Sequence, residues 1–286
     1  MKKILITGAN GCIGTCLWQT LVREGHDVIC LDRTPVKDLH FVRHDITQPL
    51  PKIKVDEIYN LAGTPSPAQY LLNPVHTMKT NVIGTINVLD LAVYSGAKVL
   101  QASTCEVYAQ DDLLSTRACY RQGKKMAESI FNDYKREYDV DIRIARIFNT
   151  YGPTMNLYDG RVIPEFIRRT LFGEDITILG DGSIKRSFCY VEDMVRALMS
   201  VMDTTITEPV DLFHPEELTI KEIAECIIKE VGSQSQIVYR EGRENDFAQN
   251  ISKAKKLNWT PRITFQEGIK KTINYFRGQS YVGKEN

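Results

Sequence analysis

Tyr120 and Lys124 stand four residues apart in Tyr120-Arg121-Gln122-Gly123-Lys124, a spacing that sets a phenol and an ammonium on one face of a helix. A lysine beside a tyrosine stabilises phenolate and lowers the phenol pKa, so the pair can exchange a proton with a substrate hydroxyl. The pattern is weak alone, since it also fits an ordinary helix-face pair, and Tyr94-Ser95-Gly96-Ala97-Lys98 repeats it. That copy falls at a helix end, before the strand that would carry its hydroxyl partner. Tyr120 instead follows a strand ending in Thr104-Cys105-Glu106. A hydroxyl at Thr104 completes a Thr/Tyr/Lys set.

A second group of residues lies at the N-terminus. Ile4-Leu5-Ile6 reads as a buried parallel strand, Gly8, Gly11 and Gly14 follow it, and the run from Thr15 to Val22 has helical spacing of its apolar residues. Strand, glycine turn and helix form a dinucleotide-binding unit, with the pyrophosphate on the helix N-terminus, where N–H groups and the dipole favour negative charge. Asn10, Cys12 and Ile13 fill the turn and join the expected cofactor contacts. The spacing is one residue longer than the usual fingerprint, and such glycines can also make a plain turn. The next strand, Asp27 to Asp32, ends in a carboxylate placed to hold the adenosine ribose hydroxyls. Asp32 favours NAD over NADP, because it would repel a 2′-phosphate; Arg33 beside it weakens that preference slightly.

The elements that must position these groups follow in order. Short strands are expected at 39–42, 55–63, 97–103 and 140–147, with helices over about 75–94 and 120–138. Thr64-Pro65-Ser66-Pro67 reads as an ordered loop. Strands alternating with helices at this interval imply right-handed crossovers and a parallel sheet. The expected fold is α/β, a doubly wound parallel Rossmann-type sheet, with a smaller mixed α/β cap at the C-terminal end. The expected division is 1–155 for the NAD-binding domain, with 187–203 returning to it, and 156–286 for a substrate cap over the carboxyl edge of the sheet. Helices are expected there at about 163–172, 191–202, 220–231 and 265–276.

Composition narrows the classes further. With 286 residues the chain can bury a large core, and 36 basic against 36 acidic residues leave no footprint for nucleic acid or a membrane surface. No apolar run approaches the ~20 residues of a membrane span, and an N-terminus entering a strand at once leaves no room for a signal peptide. Seven cysteines at 12, 16, 30, 105, 119, 189 and 226 show neither C-x-x-C pairs nor a disulfide framework. They read as small buried side chains in a reducing cytoplasm. No metal site is expected.

Together these residues resemble a family, the extended short-chain dehydrogenase/reductases acting on nucleotide sugars. The likeness is carried by Thr7-Gly8-x-x-Gly11-x-x-Gly14, Asn60-Leu61-Ala62, Lys79-Thr80-Asn81-Val82-x-Gly84-Thr85, Ser103-Thr104-Cys105-Glu106-Val107-Tyr108 and Tyr120-x-x-x-Lys124. Within it the chain is most similar to the UDP-glucuronate decarboxylases that make UDP-xylose. That closer match rests on Ser66-Pro67, Arg146-Ile147-Phe148-Asn149-Thr150-Tyr151-Gly152-Pro153, Asp159-Gly160-Arg161-Val162, Gly180-Asp181-Gly182-Ser183, Arg186-Ser187-Phe188-Cys189-Tyr190-Val191 and Asn258-Trp259-x-Pro261.

The resemblance implies catalytic use of NAD without net redox change. Tyr120 takes the proton of the sugar C4 hydroxyl as hydride leaves. The 4-ketone makes the carboxylate on C5 a β-keto acid that loses carbon dioxide, and reprotonation at C5 and hydride return close the cycle. Thr104 would hold the C4 oxygen, and Glu106 would orient the sugar or a proton-relay water. It further implies cofactor contacts at Asp45, Ile46, Leu61, Ala62, Gly63 and Thr80, and substrate contacts at Pro65, Asn149, Arg161, Val162, Arg186 and Arg243. A UDP-sugar or other nucleotide sugar is the expected partner, and a homodimer through the helices near 80–94 and 120–138 the expected assembly.

Four departures from the family pattern stand out. Cys105 occupies a position where the decarboxylases carry serine and the dehydratases aspartate, and a thiol bonds hydrogen more weakly than a hydroxyl. The stretch from Ala109 to Cys119 is shorter than the family's. Thr154 replaces an arginine in Gly152-Pro153-Thr154-Met155, and an expected arginine is absent from Phe247-Ala248-Gln249-Asn250-Ile251; Arg240 or Arg243 could substitute. A nucleotide-sugar 4-epimerase, a 4,6-dehydratase and a non-catalytic NAD-binding scaffold therefore stand beside the decarboxylase reading.

Overall fold

The structure is a computed structural model that describes residues 1–35, 40–109, 114–242, 257 and 259–279. In chain order it runs β1 (Lys3–Thr7), α1 (Cys12–Arg23), β2 (Asp27–Asp32), β3 (His40–Arg43), β4 (Glu57–Asn60), α2 (Pro67–Leu72), α3 (Pro74–Ser95) and β5 (Lys98–Thr104). A single 3-10 turn (Cys105–Tyr108) leads on to α4 (Ala118–Tyr138), β6 (Ile142–Ile147), β7 (Asn149–Tyr151), α5 (Val162–Leu171), β8 (Ile176–Leu179), β9 (Lys185–Tyr190) and α6 (Val191–Asp203). The last elements are β10 (Val210–Leu212), β11 (Glu217–Thr219), α7 (Ile220–Val231), β12 (Ile237–Arg240) and α8 (Phe265–Gly278).

Two compact units divide these elements. The first, Met1–Ile147 with Val195–Leu212, holds a seven-stranded sheet in the order β10-β6-β5-β4-β1-β2-β3. Its neighbours all pair in parallel, so the fold is the expected doubly wound Rossmann type. Strands covered on both faces read as continuous apolar runs: Ile4, Leu5 and Ile6 in β1 and Val28 to Leu31 in β2 are buried. The register sets Thr7, Asn60 and Gln101 side by side across β1, β4 and β5, a polar row through an otherwise apolar layer.

Helix spacing serves the same end. A glycine on α4 lets α3 approach closely: a methyl at Gly123 would sit 2.9 Å from the Asn81 Cβ. Pro74 at the first turn and Gly96 in left-handed conformation at the end fix the limits of α3. The short α2 is not apparent from sequence. Its start is set by Ser66, whose Oγ accepts the Gln69 N–H at 3.4 Å, and by Pro67 at the first position.

In the second unit, Phe148–Met194 with described residues beyond Phe213, β11-β9-β7 and β12-β8 form two small sheets packed with α5, α7 and α8. Buried Asp193 accepts the backbone N–H groups of Arg262 and Ile263 at 2.9 and 2.8 Å. Capping boxes start α7 and α8 at Thr219/Glu222 and Thr264/Glu267. The first unit closes at Ile147 rather than at 155 because β7 pairs with β9 and not with the large sheet. The returning segment begins at Val195, inside α6, and carries β10 to the sheet edge.

Cys30, Cys105 and Cys189 are buried as expected, whereas Cys12, Cys16, Cys119 and Cys226 are only partly so; none forms a disulfide. Among the described residues, no helix is long and apolar enough to cross a membrane, and no group of His, Cys, Asp or Glu could hold a metal ion.

Candidate active site

The glycine turn is a cradle that side chains would fill. A methyl at Gly14 would lie 2.3 Å from the Gly8 carbonyl oxygen, and one at Gly8, where φ is +70°, would lie 2.8 Å from the Ala62 backbone. Gly11 is the N-cap of α1, and Cys12, Ile13 and Gly14 form its first turn. The Asn10 N–H donates to Asp32 Oδ2 at 3.1 Å, while Asp32 Oδ1 accepts from the Thr34 N–H and hydroxyl, each at 3.1 Å. The carboxylate at the end of β2 is thereby oriented beside the turn.

Gly8, Asp32, Arg33, Asp45, Ile46, Ala62, Gly63 and Thr80 share one open cavity with Leu31, His44 and Thr64. Leu61 lies behind it, its N–H bonded to the Thr7 carbonyl at 3.2 Å. Arg33 Nη1 is 2.7 Å from His76 Nε2 on α3. An open cavity bounded by the glycine turn, with a carboxylate at the end of β2, fits a dinucleotide.

Thr104, Cys105, Glu106, Tyr120 and Lys124 come together where β5 ends and α4 begins its buried face. Thr104 caps the 3-10 turn, its Oγ1 accepting the Glu106 N–H at 3.2 Å, and it also hydrogen-bonds the Tyr120 phenol. Tyr120 is 6% exposed and Lys124 4%. The Tyr120 ring stacks on Tyr70 of α2, centroids 5.4 Å apart and planes within 5°. The Tyr70 hydroxyl is buried with no hydrogen-bond partner among the described residues, and burial pushes its pKa up to about 12.

One expectation is corrected here. Lys124 does not lower the Tyr120 pKa in this structure: burial pushes that phenol up, the Glu106 charge adds to the rise, and only the Thr104 hydrogen bond opposes it. Lys124 instead donates from Nζ to the Ala102 carbonyl at 2.8 Å. Burial pulls its own pKa down from 10.5 to about 8, against the raising effect of Glu128. A methyl at Gly63 would meet Lys124 Nζ at 3.3 Å, so this ammonium borders the dinucleotide cavity.

A buried hydrogen-bond chain joins the two ends. Thr7 Oγ1 donates to Asn60 Oδ1 at 2.7 Å, Asn60 Nδ2 to Gln101 Oε1 at 2.7 Å, and Gln101 Nε2 to the Ala102 carbonyl at 3.0 Å, the oxygen that also accepts Lys124. A second network anchors the 3-10 turn. Ser103 Oγ donates to Glu128 Oε1 at 2.5 Å, and Arg146 forks onto both Glu128 oxygens at 2.9 and 2.6 Å. Arg146 also donates to the Tyr108 hydroxyl at 2.8 Å, which donates in turn to Asp211 on β10 at 2.9 Å.

Sequence reasoning assigned no site role to Tyr70, Arg121, Glu128, Arg146 and Asn81, the last with side-chain N and O both buried without hydrogen-bond partners among the described residues. Two signals were present: Glu128 follows Lys124 by one helical turn, and Arg146 interrupts an apolar strand, where a charge demands a partner. The expected substrate residues are spread more widely. In the second unit Asn149 Nδ2 donates to the Ser187 carbonyl at 3.0 Å, next to Arg186 on β9. Arg161 is the N-cap of α5, preceding Val162, and is held in an ion pair by buried Asp159 at 2.5 Å. Pro65 is exposed in the loop before α2. Arg243 and the stretch 247–251 lie outside the described residues.

Comparison with known proteins agrees with this geometry. Residues 4–211 match the NAD dependent epimerase/dehydratase family. UDP-glucuronic acid decarboxylase 6 of Arabidopsis thaliana is 41% identical over 313 residues, covering 99% of this chain and 91% of that protein. UDP-glucuronic acid decarboxylase 1 of Danio rerio is 40% identical over 304 residues, covering 96% of this chain and 72% of its own length. The solved structure of MoeE5 in complex with UDP-glucuronic acid and NAD superposes with a TM-score of 0.83 at 25% identity, over 96% of this chain and 99% of that one. With a doubly wound sheet, a glycine cradle and a buried Thr/Tyr/Lys set on one unit, this chain belongs to the NAD dependent epimerase/dehydratase family.

Proposed function

We propose that the protein decarboxylates UDP-glucuronate to a UDP-pentose, using NAD catalytically. The observation that carries this reading is the buried Thr104–Tyr120–Lys124 set joined to the glycine cradle, in a chain about 40% identical to decarboxylases over nearly its whole length. Gly8, Asn10, Gly11, Cys12, Ile13 and Gly14 would hold the pyrophosphate, and Asp32 and Arg33 the adenosine ribose. Asp45, Ile46, Leu61, Ala62, Gly63 and Thr80 would line the remainder, with Tyr120 and Lys124 at the reacting end. NAD, when bound, supplies reversible hydride acceptance.

Tyr120 takes the proton from the sugar C4 hydroxyl, and Thr104 holds the C4 oxygen while it does so. Burial makes the Tyr120 phenolate costly, so proton removal depends on Thr104, which favours the phenolate, and on an occupied site. With a carbonyl at C4 the carboxylate on C5 leaves as carbon dioxide. Cys105, or a water oriented by Glu106, would return a proton to C5. Pro65, Asn149, Arg161, Val162, Arg186 and Arg243 would bind the nucleotide sugar, Arg186 through the match of its fork to phosphate.

The test is mass spectrometry of a UDP-sugar panel incubated with protein and NAD. Loss of carbon dioxide from UDP-glucuronate is expected. Loss of water from a neutral sugar, or isomer exchange without mass change, would replace this reading with the dehydratase or epimerase one.

A homodimer through α3 and α4 belongs to the same proposal. Exposed Ile83, Val93 and Tyr94 on one helix and Met126 and Tyr138 on the other support it, and sedimentation at micromolar concentration would reveal a monomer if it is wrong. Seven cysteines without a disulfide suit a cytoplasmic location.

A further inference from the structure

At the Asp32 end of the dinucleotide cavity a guanidinium meets an imidazole. Arg33 follows the last residue of β2 and lines the cavity, exposed to solvent. Its Nη1 lies 2.7 Å from Nε2 of His76, a half-buried residue in the first turn of α3. A guanidinium only donates, so Nε2 is the acceptor and His76 is the neutral tautomer with its proton on Nδ1. Thr80 Oγ1 lies 3.5 Å from the same nitrogen, but it gives its proton to the His76 carbonyl at 2.9 Å. The Nε2 lone pair is left to Arg33.

The carboxylates of this cavity are held by other groups. Asp32 takes its hydrogen bonds from neutral donors, the Asn10 N–H on one oxygen and the Thr34 N–H and hydroxyl on the other. Asp45 Oδ1 accepts the Thr47 N–H at 2.9 Å, while its Oδ2 stands 4.0 Å from His76 Nε2. The hydrogen bond from Arg33 thus goes to His76 and not to Asp32, its neighbour in the chain. The Asp32 charge is left facing the ribose, where it repels a 2′-phosphate. A guanidinium released from His76 would have two uses here. It could pair with Asp32 and cancel that repulsion, or fork onto the phosphate itself. Both would admit the phosphorylated cofactor.

We propose that His76 is a positioning residue for cofactor choice: by holding Arg33 against α3 it leaves the Asp32 carboxylate to the ribose diol and so excludes NADP. This rests on the assignment of the cavity to NAD and deepens it. Specificity here comes from withholding a cation that a phosphate would otherwise recruit. Arg33 weakens the preference for NAD when the sequence beside Asp32 is read alone. An imidazole on another element removes that weakness.

The experiment titrates NAD and NADP separately into nucleotide-free protein by calorimetry, with no sugar present. The parent is expected to bind NADP about 100-fold less tightly than NAD. His76→Ala should narrow that ratio by about 10-fold, chiefly through tighter NADP binding. His76→Leu, which fills the space without a lone pair, should do the same. His76→Gln restores an acceptor for Arg33 and should stay within about twofold of the parent. In an Arg33→Ala background, His76→Ala should leave the ratio unchanged, because the cation it would release is gone. Retained NAD binding shows that each variant folds. A ratio unaltered by both His76→Ala and His76→Leu would overturn the proposal, as would equal losses for the two cofactors or a narrowing that persists without Arg33. Each of these leaves the NAD reading standing. Failure of the parent to bind either dinucleotide would instead bring down that reading and this inference with it.

Discussion

The glycine-turn end and the reacting end lie on one unit yet are built by opposite means. The turn is local: residues 8–14 follow a strand without interruption, and its geometry is backbone, with clearances too small for a methyl at Gly8 or Gly14. The reacting end is assembled from afar. Ser103, Glu128 and Arg146 come from β5, α4 and β6, Asp211 from β10 and Tyr70 from α2, and they meet through buried charges and hydrogen bonds. The glycine turn is the property of a contiguous stretch, whereas the other end depends on side chains brought together from five elements.

Perturbing each end separately sharpens that contrast. The largest effect is expected from Tyr120→Phe, which removes the proton carrier and should cut kcat by about 10²–10⁴-fold while NAD affinity, followed by fluorescence titration, stays unchanged. Turnover surviving that change would move the chemistry away from α4. Glu128→Leu comes next: it strands Arg146 and releases Ser103, and chemical denaturation should show a loss of about 3–5 kcal/mol. A neutral result would mean that the network is ornamental. Gly14→Ala should then cost about 1–3 kcal/mol through forced displacement of the turn, and weaken NAD without altering kcat at saturating cofactor.

The remaining prediction is a pH trend. Lys124 has a folded pKa near 8 against 10.5 when unfolded, so between those values the unfolded chain binds the extra proton and stability rises with pH. Lys124→Met lacks this titration. Its stability relative to the parent should be greatest at or below pH 8 and should decline toward pH 10.5, by at most about 1.4 kcal/mol per pH unit. A pH-independent difference would place the lysine in water.

The same contrast explains what could be read from sequence. The parallel sheet, the turn, Asp32 and the Thr/Tyr/Lys spacing are carried by short periodic patterns, and the observed elements match them within a few residues. The short α2 hid behind two prolines, which mark a loop as readily as a helix start. Lys124 shares one face of α4 with Tyr120, as the spacing predicts, but its bond to Ala102 depends on how closely α4 packs on β5, and no spacing rule contains that distance. Arg121 was passed over because a charge beside a motif usually faces water; its burial follows from Glu106, fifteen residues earlier in the chain.

The central claim, transient oxidation at C4 on the Tyr120 side, is tested most directly with UDP-glucuronate deuterated at C4 and NAD well below the sugar concentration. The account predicts complete conversion to a UDP-pentose that keeps its deuterium at C4, with no net accumulation of reduced cofactor. Conversion that stops at one equivalent of NAD, or a pentose whose C4 deuterium has been lost to solvent, would contradict it.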